Sequence, residues 1–147
     1  MNLQVGVKVL IKNSRGEYLF IRRSTILATD ISEPSWDIPG GRIEPDEYLP
    51  EALKREVQEE IGHDIQSIPV LIAAQDIFVS TKGLHVVRLT YTLEENVDDI
   101  ALSDEHEEYA WVHESQLETV IAEPYLAEVL MQLQKITNTC YLSGEGA

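Results

Sequence analysis

The sequence predicts an α+β fold, a mixed β-sheet sandwiched between helices, in one domain spanning residues 1–147. Three observations lead to it: alternating apolar residues at the N-terminus, a run of helix formers that stops at a glycine, and apolar residues at three- and four-residue spacing near the C-terminus. A chain of 147 residues can bury most of the surface that its unfolded form exposes, which suits one compact unit. No internal repeat or low-complexity segment divides it.

From Leu3 to Ile11, Val5, Val7, Val9 and Ile11 alternate with Gln4, Gly6, Lys8 and Leu10, the period of a strand. Asn13-Ser14-Arg15-Gly16 has turn chemistry, and Tyr18 to Ile21 resumes as a second strand, which makes a hairpin. Ser24 to Ser35 lacks sustained periodicity and reads as a loop ending at Trp36-Asp37-Ile38-Pro39-Gly40-Gly41. Good helix formers dominate Glu47 to Ile61, and Gly62 is a natural stop. Val70 to Val79 and Leu84 to Leu93, rich in β-branched and apolar residues, flank the turn Thr81-Lys82-Gly83 as a second hairpin. An acidic loop, Ser103 to Glu108, precedes a short strand at Tyr109 to Val112. Leu117 to Ile121 and Leu126 to Ile136 carry helical spacing, Pro124 opens the latter, and Ser143 to Ala147 is expected to fray.

Twenty-six acidic residues against eleven basic ones give a formal charge of −15. That charge repels polyanions and argues against general binding to DNA, RNA or an anionic membrane. A phosphorylated small molecule still suits it, provided a divalent cation bridges protein carboxylates to phosphate oxygens. No stretch approaches the roughly 20 apolar residues that span a bilayer, and Met1 to Val9 lacks the features of a secretion signal, so the expected location is cytoplasmic. The single cysteine, Cys140, cannot form an internal disulfide or a multi-thiolate zinc site and reads as a bystander thiol. A homodimer is an open alternative to a monomer.

The helix carries the informative conflict. On a wheel of about 100° per residue with Glu56 at zero, Leu49 falls near 20°, Glu60 near 40°, Leu53 near 60° and Val57 near 100°. Two carboxylates therefore share the apolar arc, whereas a solvated acidic face would lie opposite the leucines. Glu56, Glu59 and Glu60 also crowd the C-terminal half, where the macrodipole disfavours anions, and Glu56 with Glu60 is a like-charge i, i+4 pair. A bound divalent cation would turn that repulsion into coordination.

Gly41, Glu47, Arg55, Glu56, Val57, Glu59, Glu60 and Gly62 follow the spacing G-x5-E-x7-R-E-U-x-E-E-x-G-U, with U a bulky apolar residue. In this the chain resembles the Nudix family, and the likeness extends to Trp36-Asp37-Ile38-Pro39-Gly40 and to the order of strands and helices. One position departs, since His63 stands where the family places an apolar residue; a histidine there also interacts favourably with the helix dipole.

The resemblance implies an α/β/α sandwich and hydrolysis of a diphosphate linkage in a small nucleoside diphosphate derivative, such as a nucleotide sugar, ADP-ribose or a nucleoside triphosphate. It implies that Glu56, Glu59 and Glu60, with the Gly40 carbonyl, hold Mg²⁺ or Mn²⁺, and that Glu47 and Arg55 brace the site as an ion pair. The general base comes from the box or from a later loop, where Glu105 is the first choice, with His106 or Glu107 as alternatives beside a merely solvated loop. Arg22, Arg23 and Arg42 are candidates for phosphate contacts or plain surface arginines. Trp36, Tyr109 and Trp111 either stack on a base or pack in the core. A rival class, a binding or regulatory module of the same fold, commonly loses box glutamates, and none is lost here. A calcium-binding module would need a D-x-D-x-D-G loop, which the chain lacks.

Overall fold

The computed structural model describes the backbone of residues 1–24 and 35–145 and the side chains of residues 1–24 and 35–136. The expected loop from Ser24 to Ser35 lies almost wholly outside the described residues, as does the side chain of Cys140.

Strands β1 (Asn2–Lys12) and β2 (Glu17–Arg23) form the first hairpin. Its turn is set by Asn13, whose Oδ1 accepts from the Arg15 and Glu17 N–H groups at 3.0 Å each. β3 (Trp36–Asp37) and β4 (Gly40–Arg42) are short and precede α1 (Leu49–Ile61). β5 (Val70–Val79) and β6 (Leu84–Glu94) form the second hairpin, closed by a 3-10 turn at Ser80–Lys82. β7 (His106–His113) and α2 (Pro124–Glu145) complete the chain.

The sheet is mixed, as expected. β1 runs parallel to β6 from Asn2↔Leu84 to Lys12↔Glu94, and the other strand pairs are antiparallel, in the order β3-β2-β1-β6-β5 with β7 also on β2. β1 meets β2 only at Lys12↔Tyr18. Nearer its start it pairs instead with β4, from Gly6↔Arg42 to Lys8↔Gly40. The two strands of the hairpin thus diverge, and residues 36–42 fill the split, with the Val9 N–H donating to the Pro39 carbonyl at 2.9 Å.

Strand alternation sorts the core into two layers. Val7, Val9, Ile11, Leu19 and Ile21 pack with Ala52, Leu53, Val57 and Ile61 of α1, while Leu10, Phe20 and Ile38 pack with Leu126, Val129 and Leu130 of α2. Each of the larger side chains contributes about 1.5–3 kcal/mol by leaving water. Helices therefore cover both faces, which is the expected sandwich. Among the described residues, no helix is long and apolar enough to cross a membrane.

Four boundaries differ from expectation. α1 starts at Leu49 rather than Glu47, because Glu44 to Glu47 forms a tight turn, with Asp46 at φ 65, ahead of Pro50 in the first helical turn. His106 to Glu108 belong to β7 instead of the acidic loop, because they pair with Arg22 and Arg23. Leu117 to Ile121 is no α-helix: a 3-10 segment spans Glu114–Thr119, with only Leu117 buried to hold it. Ser143 to Glu145 continue α2 rather than fray, since no proline or glycine interrupts Leu126 to Ser143.

Candidate functional site

The α1 helix delivers its acids as the wheel anticipates. Glu60 is buried, the Glu56 side chain is only 14% exposed, and Glu59 stands out at 58%. Gly62 ends the helix in the left-handed region at φ 69, and its N–H returns to the Gln58 carbonyl. The next loop secures the same end: the Ala101 and Ser103 N–H groups donate to the carbonyls of Ile61 and Glu60, at 3.0 Å each. No basic residue occupies the last turn, so these main-chain donors serve the helix terminus alone.

Arg55 organises the acids. Its Nε and Nη2 donate to the two Glu47 oxygens at 2.8 and 3.0 Å, a bidentate fork that fixes the guanidinium plane. Nη1 reaches Glu56 at 3.0 Å and Glu59 at 3.4 Å, and Nη2 also donates to the Arg42 carbonyl at 3.1 Å. The hydrogen bonds from Arg55, reinforced by the Glu44 N–H, bring the Glu47 carboxyl down to about 2. The same contacts push the guanidinium further up.

The double glycine supplies the opposite wall. The Gly40 N–H donates to Glu60 Oε2 at 3.0 Å. Gly40 has φ 142, and a Cβ there would overlap the Val7 carbonyl oxygen and lie 2.6 Å from the Lys8 Cα. At Gly41 a Cβ would lie 2.6 Å from the Glu56 carboxylate, so the space that this carboxylate occupies exists only because position 41 has no side chain. Burial pushes the Glu60 carboxyl up to about 7; the charges of Glu56 and Asp37 add to the rise, while Lys8 and the Gly40 N–H oppose it. Burial also raises Glu56, against the pull of Arg55.

These residues fit a divalent cation by their chemistry. All donors are hard oxygens, and burial holds Glu56 and Glu60 above the ordinary carboxylate range despite the opposing charges of Arg55 and Lys8. Among the described residues no three acidic or histidine side chains converge as a formed ion cage, and Arg55 is what draws Glu56 and Glu59 to itself.

The remaining candidates are dispersed around this centre. Glu105 is exposed, and its carbonyl accepts from the Ser24 N–H at 2.7 Å. His106 beside it is partly buried; burial and then Lys8 hold its pKa below the ordinary value, with Glu105 and Asp37 acting against that and Arg23 adding to it. Arg22 is engaged by Glu107 at 3.2 Å and Glu108 at 2.6 Å and lies over the Trp36 ring at 5.6 Å. The side chains of Arg23 and Arg42 are exposed. Trp36 and Trp111 pack against the α2 and α1 layers respectively, whereas Tyr109 is 45% exposed.

Sequence reasoning missed Lys8 and Asp37, whose ion pair at 3.0 Å stands beside the Gly40 wall. The available signal was a charged residue within the run from Val7 to Ile11, whose other members are apolar. It also left His63 without a partner: His63 Nε2 pairs with Glu95, which further accepts from the Gln66 and Ser67 N–H groups at 2.9 and 2.7 Å. The polar residue in the family's apolar position thus ties the helix exit to the end of β6.

Comparison with known proteins agrees with this geometry. The chain is 33% identical over 90 residues to the nucleoside triphosphatase NudI of Salmonella schwarzengrund (strain CVM19633), covering 56% of this chain and 64% of that protein. It therefore spans just under two thirds of the length of the curated relatives it matches. Among solved structures, the MutT protein from Methanosarcina mazei Go1 superposes with a TM-score of 0.77 at 29% identity, covering 92% of this chain and 95% of that one. The E. coli ORF135 protein gives 0.75 at 22% identity over 93% and 92%, a likeness of fold alone. Nudix enzymes generally use divalent metals. Matched from residue 2 to residue 133, through the helix that carries Glu56, Glu59 and Glu60, the chain belongs to the NUDIX domain family.

Proposed function

We propose that the protein is a hydrolase, dependent on Mg²⁺ or Mn²⁺, that cleaves a diphosphate linkage in a small nucleoside diphosphate derivative such as a nucleotide sugar, ADP-ribose or a nucleoside triphosphate. The observation that carries this reading is the placement of Glu56 and Glu60 inside the apolar arc of α1, against a wall where Gly40 admits no side chain and Gly41 leaves its space to the Glu56 carboxylate. Acids so placed cost stability unless a cation uses them. The name of the NudI relatives supports a nucleoside triphosphate as one of the substrates to try first.

In this reading Glu56, Glu59 and Glu60, with the Gly40 carbonyl, hold the ion. Bound there, the ion lowers the pKa of water and neutralises charge on the phosphate oxygens. The water oxygen bonds to one phosphorus as the bridging P–O bond breaks, the electron pair leaves with the departing phosphate, and a carboxylate takes the proton. Glu105 is the proposed acceptor, because its loop docks on the end of α1 at Glu60. Arg55 keeps the three box glutamates in register through its fork to Glu47. Arg23 and Arg42, exposed at the rim, contact phosphate, and Arg22 with Trp36 frames the organic part of the substrate.

The test is a panel of nucleotide sugars, ADP-ribose, dinucleoside polyphosphates and nucleoside triphosphates incubated with Mg²⁺ or Mn²⁺, with products resolved by chromatography. Cleavage of a diphosphate bridge that stops in excess EDTA and returns with either metal is the expected result. Undiminished turnover in EDTA would remove the ligand role from the box glutamates.

A further inference from the structure

Lys8 stands on a strand whose other members near it, Val7, Val9 and Leu10, are fully buried apolar side chains. A strand register alone would be served by any apolar residue at this position, yet an ammonium is kept there with its side chain only 16% exposed. Its Cα pairs with Gly40 across β1 and β4, directly beneath the N–H that binds Glu60. The ammonium donates to Asp37 Oδ2 at 3.0 Å and to the Ile38 carbonyl at 3.2 Å. Asp37 is itself held, because its Oδ1 accepts from the Ile38 N–H at 2.8 Å. A lysine has three N–H donors, and among the described residues only these two hydrogen-bond partners are found.

We propose that Lys8 is a substrate-contacting residue of this site, whose third N–H and fixed positive charge bind the phosphate that departs when the bridge is cleaved. The proposal rests on the hydrolase reading above. Lys8 lowers the carboxyl pKa of both Glu60 and Glu56 and depresses His106, so its charge is felt by each side of the site at once. The Arg55 guanidinium beside the same carboxylates is already committed to Glu47, Glu56, Glu59 and the Arg42 carbonyl. In a chain of net charge −15, a diphosphate gains from any ammonium beside the carboxylates, and Lys8, although paired with Asp37, has one N–H beyond its two contacts. As the bridging bond breaks, the departing oxygen gains charge, and a pre-placed ammonium meets it without reorganising. The proton from water goes to the carboxylate base.

A purely structural Lys8–Asp37 pair is the rival, and three variants separate the two. Lys8→Met, Lys8→Arg and Asp37→Asn are compared with wild type for steady-state kinetics, for calorimetric binding of inorganic pyrophosphate with Mg²⁺, and for Mn²⁺ binding without any anion. Lys8→Met should lose about 10- to 100-fold in kcat and at least about tenfold in pyrophosphate affinity, the scale of one lost charged donor. Its Mn²⁺ affinity should be unchanged or tighter, because a positive charge has left the neighbourhood of the ion. Lys8→Arg should restore pyrophosphate binding to within about threefold, since it keeps the charge. Asp37→Asn should also keep pyrophosphate binding, and it decides the matter if Lys8→Met fails to fold: equal loss of binding in Asp37→Asn overturns the proposal. So does a folded Lys8→Met that binds pyrophosphate like wild type. Wild-type protein that neither binds pyrophosphate nor cleaves any panel compound would instead overturn the hydrolase reading itself.

Discussion

Replacing Glu60 by glutamine should separate stability from function at a single atom pair. The folded protein holds this carboxyl at about 7 against an ordinary 4.5, chiefly through burial. The sign follows from linkage. The unfolded chain releases this proton near pH 4.5 while the folded chain keeps it until about pH 7, so folding stability of the metal-free protein falls as pH rises through that window and is level above it. At about 1.36 kcal/mol for each pH unit of that window, the loss is on the order of 3 kcal/mol. Glutamine nearly keeps the shape, can still accept from the Gly40 N–H, and has no charge to desolvate. In EDTA, urea unfolding should therefore show Glu60→Gln close to wild type at pH 5 and more stable by up to about 3 kcal/mol at pH 8. Hydrolysis should nevertheless collapse in the variant. Added Mg²⁺ should stabilise wild type by about 2.7 kcal/mol at a hundredfold excess over Kd and the variant by much less. A variant less stable than wild type by more than about 2 kcal/mol at pH 8 would mean that Glu60 is an internally paired structural carboxylate, and the reasoning from burial would fail.

Glu105→Gln should lose on the order of 10²- to 10⁴-fold in kcat with little change in KM, the usual share of a positioned base; a loss below about threefold in steady-state kinetics would pass that role to the box, foremost Glu59. Gly41→Ala should fold but lose activity, because its methyl group claims the space of the Glu56 carboxylate, whereas Gly40→Ala should lower the melting temperature sharply, since its methyl group meets the β1 backbone. The two melts, recorded beside activity, check the distinction. His63→Ala should cost about 1–3 kcal/mol by taking a partner from the partly buried Glu95 carboxylate, with turnover nearly unchanged, as denaturant titration and kinetics would show. Burial pushes Glu95 up, yet the hydrogen bonds from His63 and Ser67 prevail and leave it below the ordinary range, so its contribution should persist at neutral pH and fade on acidification.

What could be read from the chain was local. The helix formers up to Ile61, the stop at Gly62 and the wheel position of Glu56 and Glu60 depend on residues within a few turns of one another, and these features appear in the structure where they were expected. The start of α1 was misjudged because the turn at Glu44 to Glu47 depends on Asp46 adopting positive φ. Lys8 and Asp37 escaped notice because they meet only through the pairing of β1 with β4 and the divergence of β2, contacts that no periodicity encodes. The acidic run at 103–108 was taken as one loop for the same reason: Arg22 and Arg23, more than eighty residues earlier, recruit its second half into β7. Arg22, read from residue type as a phosphate contact or a plain surface arginine, meets Glu107 and Glu108, partners that lie far away in the chain.

The clasp formed by Ala101 and Ser103 on the end of α1 bears on any attempt to redesign this protein. The segment that donates those N–H groups leads, within three residues, to Glu105 and His106. A designer who swaps this loop is also editing the cap of α1, the helix that carries Glu56, Glu59 and Glu60. A graft that shifts the register by one residue, or that puts proline at position 101 or 103, would leave the Ile61 or Glu60 carbonyl unanswered and would tilt the carboxylates along with it. Libraries built on this loop should therefore vary Asp104 and the residues outside the clasp while holding the main chain of 101–103 constant, so that the loop can change without dislodging Glu56 and Glu60.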